Sequence, residues 1–246
     1  AMPIAVLAVF SAILSKVAAY GFLRVVLPTF PDASVHFQML LLLLALGSVL
    51  YGSAMAFTVT NTRLILGYSS IAQLGFIVLG IFALQKTGAQ GAILQSVNHA
   101  LVVAPLLFIV ALLAARAGSE DLRDMGGLAF RAPLLATIFL IFALASLAIP
   151  GSANFAGEFL ILLGVFKSKL VISILAFTGV VMASVYMLRA YIRAMHNRVG
   201  PRVESRELAA RDALVLVPLV LVTLALALYP DFALKRSDRT AGVVIA

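Results

Sequence analysis

Cysteine is absent from the 246 residues of this chain. That excludes disulfides and thiol-ligated iron–sulfur clusters within it. Charge is scarce as well: Asp, Glu, Lys and Arg make up 11% of residues, where ordinary soluble domains carry about 25%. No phosphate loop, dinucleotide fingerprint or zinc-binding helix pair occurs, and there is no nucleophile elbow. The histidines, His36, His99 and His196, fall on different segments without metal-ligand spacing. The opening residues, AMPIAVLAVF, have neither a basic n-region nor a cleavage site, so they do not read as a secretory signal.

What remains is apolar. Hydrophobic residues are 63% of the chain and the mean hydropathy is +1.12, which places it among integral membrane proteins. The net charge of +8 is then read as basic residues gathered in cytoplasmic loops, and no nucleic-acid partner is expected. A membrane-spanning helix needs ~20 apolar residues. Seven such stretches are legible, at 4–26, 37–58, 64–84, 89–115, 132–166, 169–195 and 212–230. The expected fold is all-α, a polytopic transmembrane helix bundle forming a single domain over 1–246.

The fifth stretch is too long. As one helix its 35 residues would extend ~52 Å, against a hydrocarbon core of ~30 Å. It also contains PGSANFAGEF at 150–159. Pro150 removes a backbone donor and Gly151 tolerates conformations that other residues avoid. A broken helix is expected, 132–149 and then 155–166. Unwound backbone at membrane depth survives only inside protein or beside water, and in transporters it marks ion and substrate sites.

With seven crossings the termini face opposite sides. One side receives Arg63, Arg116, Arg123, Arg131, Arg193, Arg198, Arg202, Arg206 and Arg211, and the other Arg24, Lys86, Lys167, Lys169, Lys235, Arg236 and Arg239. The first side holds the longest loops and is expected to be cytoplasmic. Glu120, Asp121 and Asp124, among the arginines of one such loop, read as a solvated charged loop. Asp32 or Ser34 is expected to cap the second helix.

Three ionisable residues lie deep in the spans: Lys16, His99 and Glu158. Arg24, Arg116, Arg189 and Arg193 are close enough to helix ends to snorkel. Charges at depth cost a few kcal/mol or more and mark ion pathways or proton relays; a static ion pair is the plainer alternative. Gln95 shares a helix face with His99 by i,i+4 spacing, with Ser96 and Asn98 nearby. Ser69, Ser70 and Gln73 share a face of the third helix. Two polar stripes of this kind line a hydrated path or serve as interhelical hydrogen bonds.

The stretches LSKVAAYGFLRVVLPTFPDAS, LGYSSIAQLGF, GAQGAILQSVNHA, DLRDMGG and IPGSANFAGEFLILLGVF cover most of the chain. In order and spacing they resemble the proton-pumping membrane subunits of respiratory complex I, which share their fold with multi-subunit cation/proton antiporters. Glutamate in GEF resembles the M-type members; L and N types generally carry lysine there. The resemblance implies proton translocation within bacterial NADH:quinone oxidoreductase, in the bacterial inner membrane, with L- and N-type subunits as neighbours. It implies that Lys16 is a central-axis lysine, His99 an exit-side histidine and Glu158 a terminal proton site. NADH, flavin, iron–sulfur clusters and quinone would belong elsewhere in the complex, with no redox site in this chain. It further implies a fourteen-helix subunit of which this chain is the second half: a central helix, the second inverted repeat and the last helix. Two positions depart from the family. Gln73 stands where many relatives have histidine, and Asn61-Thr62-Arg63 replaces an Asp-x-Lys motif, leaving a charge pair there in question. Other readings are a subunit of a cation/proton antiporter or a membrane-bound hydrogenase, a secondary solute transporter, and a structural membrane anchor.

Overall fold

A computed structural model describes residues 3–200, 203, 204 and 206–245; Arg202 lies outside them, as does the side chain of Arg239. The first span, Val6–Thr29, runs through α1 (Ile4–Val9), a π-helical turn (Phe10–Leu14), α2 (Ser15–Gly21), a second π-helical turn (Phe22–Val26) and α3 (Leu27–Thr29). A short α4 (Pro31–His36) leads into α5 (Gln38–Thr58), α6 (Thr62–Phe82) and α7 (Lys86–Ala117). Then come α8 (Pro133–Ser146), α9 (Ala153–Ser168), α10 (Leu170–Met195), α11 (Ala210–Leu228) and α12 (Asp231–Ile245). Among the described residues six helices are long and apolar enough to cross a membrane. The pair α8–α9 makes the seventh crossing, so the expected all-α bundle with one broken helix is what forms.

Two apolar cores lie toward opposite ends. One gathers Leu66, Leu113, Leu128, Phe139, Phe142 and Met195. The other gathers Leu42, Phe76, Phe82, Ile161, Val165 and Ile172. Along α7 and α9 the two backbones approach closely at glycines. A Cβ at Gly91 would lie 2.6 Å from the Ile161 nitrogen, and one at Gly157 3.0 Å from the Gln95 Cα. Only glycine permits this backbone approach, the usual device by which membrane helices pack without a hydrophobic driving force.

Both arginine-rich loops dock at one end, against each other and against the start of α6. Ala129 N donates to Met195 O at 3.0 Å and Glu204 N to Arg116 O at 2.9 Å. Glu207 accepts from the backbone of Leu134 at 3.0 Å and Leu135 at 3.3 Å, capping α8 from a distant loop.

Several expectations are corrected. Asp32 does not cap the second span; it lies in the first turn of α4, and the Ser34 hydroxyl donates to Phe30 O. The 116–131 loop is not simply solvated. Glu120 ion-pairs with Arg63, and its backbone oxygen accepts from the Thr62 nitrogen and hydroxyl. Asp121 accepts from Thr60 Oγ1 at 3.0 Å and from Arg123 Nη2 at 2.7 Å. The charge pair left in question at Asn61-Thr62-Arg63 is therefore present, supplied by Glu120, and Asn61 caps α6 by accepting from Leu64 N. Arg116 does not snorkel: it is 5% exposed and donates to Leu112 O, Arg206 O and Glu207 O. Residues 231–245, beyond the last expected span, form α12, which ties to α7 through Lys86–Asp238 at 2.8 Å and Gln90–Asp238 at 2.7 Å.

Candidate functional site

The break sits earlier than its proline suggests. α8 stops at Ser146, not 149, and α9 resumes at Ala153, not 155. The reason is steric: in a continued helix the Pro150 ring would meet the carbonyl four residues back, that of Ser146. The residue before a proline also resists helical geometry. Ala148 takes φ 50° and Gly151 φ 90°, which turns the chain before it re-enters a helix. Asn98 Nδ2 on α7 donates to Ala153 O at 2.6 Å and holds the first turn of α9 in place.

Glu158 lies on the second turn of α9, 3% exposed. Its Oε1 accepts from Gln73 Nε2 of α6 at 2.8 Å and from Gln95 Nε2 of α7 at 3.2 Å. Gln95 Nε2 also donates to Gln73 Oε1 at 2.7 Å, closing a ring of three side chains from three helices. The absence of a side chain at Gly157 is what lets Gln95 cross to α9. Among the described residues no cation forms an ion pair with Glu158, so Lys16 is not its static partner. A buried carboxyl held by two neutral amides can take or release a proton without breaking an ion pair.

One turn nearer the arginine-rich end is a second polar layer: His99, Asn98 and Asn154, 4%, 1% and 1% exposed. Ser69 completes it, accepting a hydrogen bond from Tyr186 Oη of α10 at 2.9 Å. Lys16, half-buried on the first span, donates to Ser11 O at 2.6 Å and Ser15 Oγ at 3.0 Å. The Ser11 carbonyl belongs to a π-helical turn; such turns recur at functional sites.

Of the residues singled out from sequence, Gln73, Gln95 and Glu158 touch, while His99 and Ser69 lie in the adjoining layer and Lys16 bonds within its own span. Ser70 and Ser96 do not join them; each donates back to its own helix, at Leu66 O and Ala92 O. Tyr186 and Asn154 were missed. Asn154 had a signal, its i,i+4 spacing to Glu158 within the quoted motif; Tyr186 had none apart from its place in an apolar span.

Fold and site define a class: a multi-pass helical membrane protein with a buried, unpaired carboxyl beside a broken helix. A family model described as NADH:quinone oxidoreductase/Mrp antiporter, TM, matches residues 1–184, and the chain belongs to that family. NADH-quinone oxidoreductase subunit M of Mycobacterium tuberculosis is 38% identical over 223 residues, 89% of this chain and 40% of that protein. The subunit M of Rickettsia prowazekii is 34% identical over 229 residues, 92% of this chain and 47% of the relative. The chain thus spans less than half the length of these curated relatives. A chain of respiratory complex I from Thermus thermophilus superposes with a TM-score of 0.89 at 30% identity, covering 94% of this chain and 49% of that one. A chain of the Mrp complex from Dietzia shares the fold, with a TM-score of 0.88 at 21% identity over 99% of this chain and 54% of the other.

Proposed function

We propose that this chain is the C-terminal half of an M-type, proton-translocating antiporter-like subunit of bacterial NADH:quinone oxidoreductase, and that it carries the exit-side half-channel. The observation that supports this most is Glu158: buried, without an ion-pair partner, and placed just after unwound backbone. In this reading the proton passes from Lys16 to His99 and on to Glu158, with Gln73 and Gln95 holding the carboxylate and Ser69 and Tyr186 completing the polar surroundings. Ser70 keeps its hydroxyl on its own helix and has no part. The subunit sits in the bacterial inner membrane beside L- and N-type subunits. Redox energy arrives from the NADH, flavin, iron–sulfur and quinone chemistry of other subunits.

The test is substitution in the full-length subunit within the assembled complex. Glu158→Gln keeps size and hydrogen bonding but cannot carry a proton. Assembly on native gels should remain near normal while proton pumping in membrane vesicles falls strongly. Glu158→Asp should retain more activity than Glu158→Gln. Normal pumping in Glu158→Gln sinks the assignment. Lost assembly rescued by neutralising Lys16 would instead indicate a structural pair.

A further inference from the structure

The layer beside Glu158 holds polar atoms that no group among the described residues satisfies. His99 Nδ1, Asn98 Oδ1 and both amide atoms of Asn154 are buried without a hydrogen-bond partner. They are not scattered. Asn98 reaches across to Ala153 O at 2.6 Å, which sets its side chain against the residue preceding Asn154. His99 follows Asn98 on α7. Asn154 lies four residues before Glu158, hence on the same face of α9, and that face looks onto α6 and α7, as the Gln73 and Gln95 bonds to Glu158 establish. Asn98 and Asn154 therefore bring three of these unpaired atoms to the contact of α7 with α9, and His99, on the face of α7 that carries Gln95, holds the fourth one position further along that helix.

Buried polar groups are almost always satisfied, by protein or by ordered water. A buried water makes ~3 hydrogen bonds and needs two to four polar partners. The set of atoms here meets that requirement, and the apolar cores on either side do not. The geometry points to an ordered water site held by Asn154, Asn98 and His99, with Asn154 as a positioning residue that links His99 to Glu158. An amide cannot pass a proton on, but the water it holds can, accepting one on one side and releasing another on the other. This role rests on the proton-transfer reading of Glu158; the water site itself does not.

Leucine shares the branched shape of asparagine, is larger, and has no polar atom. If Asn154 is merely packed, Asn154→Leu replaces an unsatisfied group with an apolar one and is neutral or stabilising. If Asn154 holds water, leucine dries the site, while Asn154→Ser leaves room and a hydroxyl. Hydroxyl-radical footprinting of the assembled complex in membranes reads bound water through oxidation of its neighbours. Buried His99 should be oxidised far faster than Phe142, which is 0% exposed in an apolar core. That labelling should be lost in Asn154→Leu and kept in Asn154→Ser, with pumping following the same order. His99 labelling no faster than that of Phe142, or unchanged in Asn154→Leu, overturns the water site whatever the pumping assay gives. Normal pumping in Glu158→Gln alongside lost labelling in Asn154→Leu defeats the proton reading and leaves the water site standing.

Discussion

At the scale of single residues, the site depends on an atom that is missing. A Cβ at residue 157 would lie 2.5 Å from Gln95 Oε1 and 3.0 Å from the Gln95 Cα. One of those neighbours is backbone and cannot yield. Gly157→Ala should therefore force α7 and α9 apart, cost ~1–3 kcal/mol as overpacking does, and break the Gln95–Glu158 bond. Gly67 is the control: a Cβ there meets nothing within 4 Å, so Gly67→Ala should be neutral or gain up to ~1 kcal/mol of helix propensity. Thermal melting of the detergent-solubilised complex separates the two; equal melting temperatures would discredit the close-packing argument. Glu158, Gln73, Gln95 and His99 could all be picked out from sequence, because polar groups at membrane depth are rare. Their mutual contact could not. Glu158 and Gln73 are separated by 85 positions, and the glycines that bring them together look, one by one, like ordinary small residues.

Among elements, the arginine-rich loop shows where local reading stops. Its acids and arginines were legible as charge, but docking onto α6 needs the partners Thr60, Asn61 and Arg63, distant in sequence. The same holds for α12, which lies beyond every expected span and whose contact is supplied by Lys86 and Gln90, far back in the sequence. The loop also carries a pH dependence. Hydrogen bonds from Arg123, with help from Thr60, hold the Asp121 carboxyl below the usual carboxylate range. A carboxyl with a depressed folded pKa adds stability above its unfolded value of about 3.9, and that stability is lost as pH falls below it. Pepsin, active in acid, should therefore spare the Leu122 region at about pH 4 and cut it increasingly toward about pH 2. Asp121→Asn should be cut already at the higher pH. Equal resistance of both proteins there would show that Asp121 does not hold the loop.

Over the whole molecule, the seven crossings and the break were readable because apolar length and proline act locally. Orientation is argued from the arginine loops that meet at one end. If that end is cytoplasmic, single cysteines in this cysteine-free chain report it directly. Asn197→Cys should resist an impermeant thiol reagent in intact cells, while Lys235→Cys, on exposed α12, should react. The reverse pattern overturns the orientation. The backbone contact of α7 with α9 has a mechanical consequence at this scale. Helices that touch main chain to main chain along Gly91 and Gly157 move as one body, so α9 cannot tilt without α7. Whatever freedom the joint at 147–152 has then falls to α8. Held at its start by Glu207 and joined to α9 through the turn at Ala148, α8 is the half of this crossing that is not locked to α7 backbone to backbone, so any change of angle at the joint is a change of α8 against the α7–α9 pair.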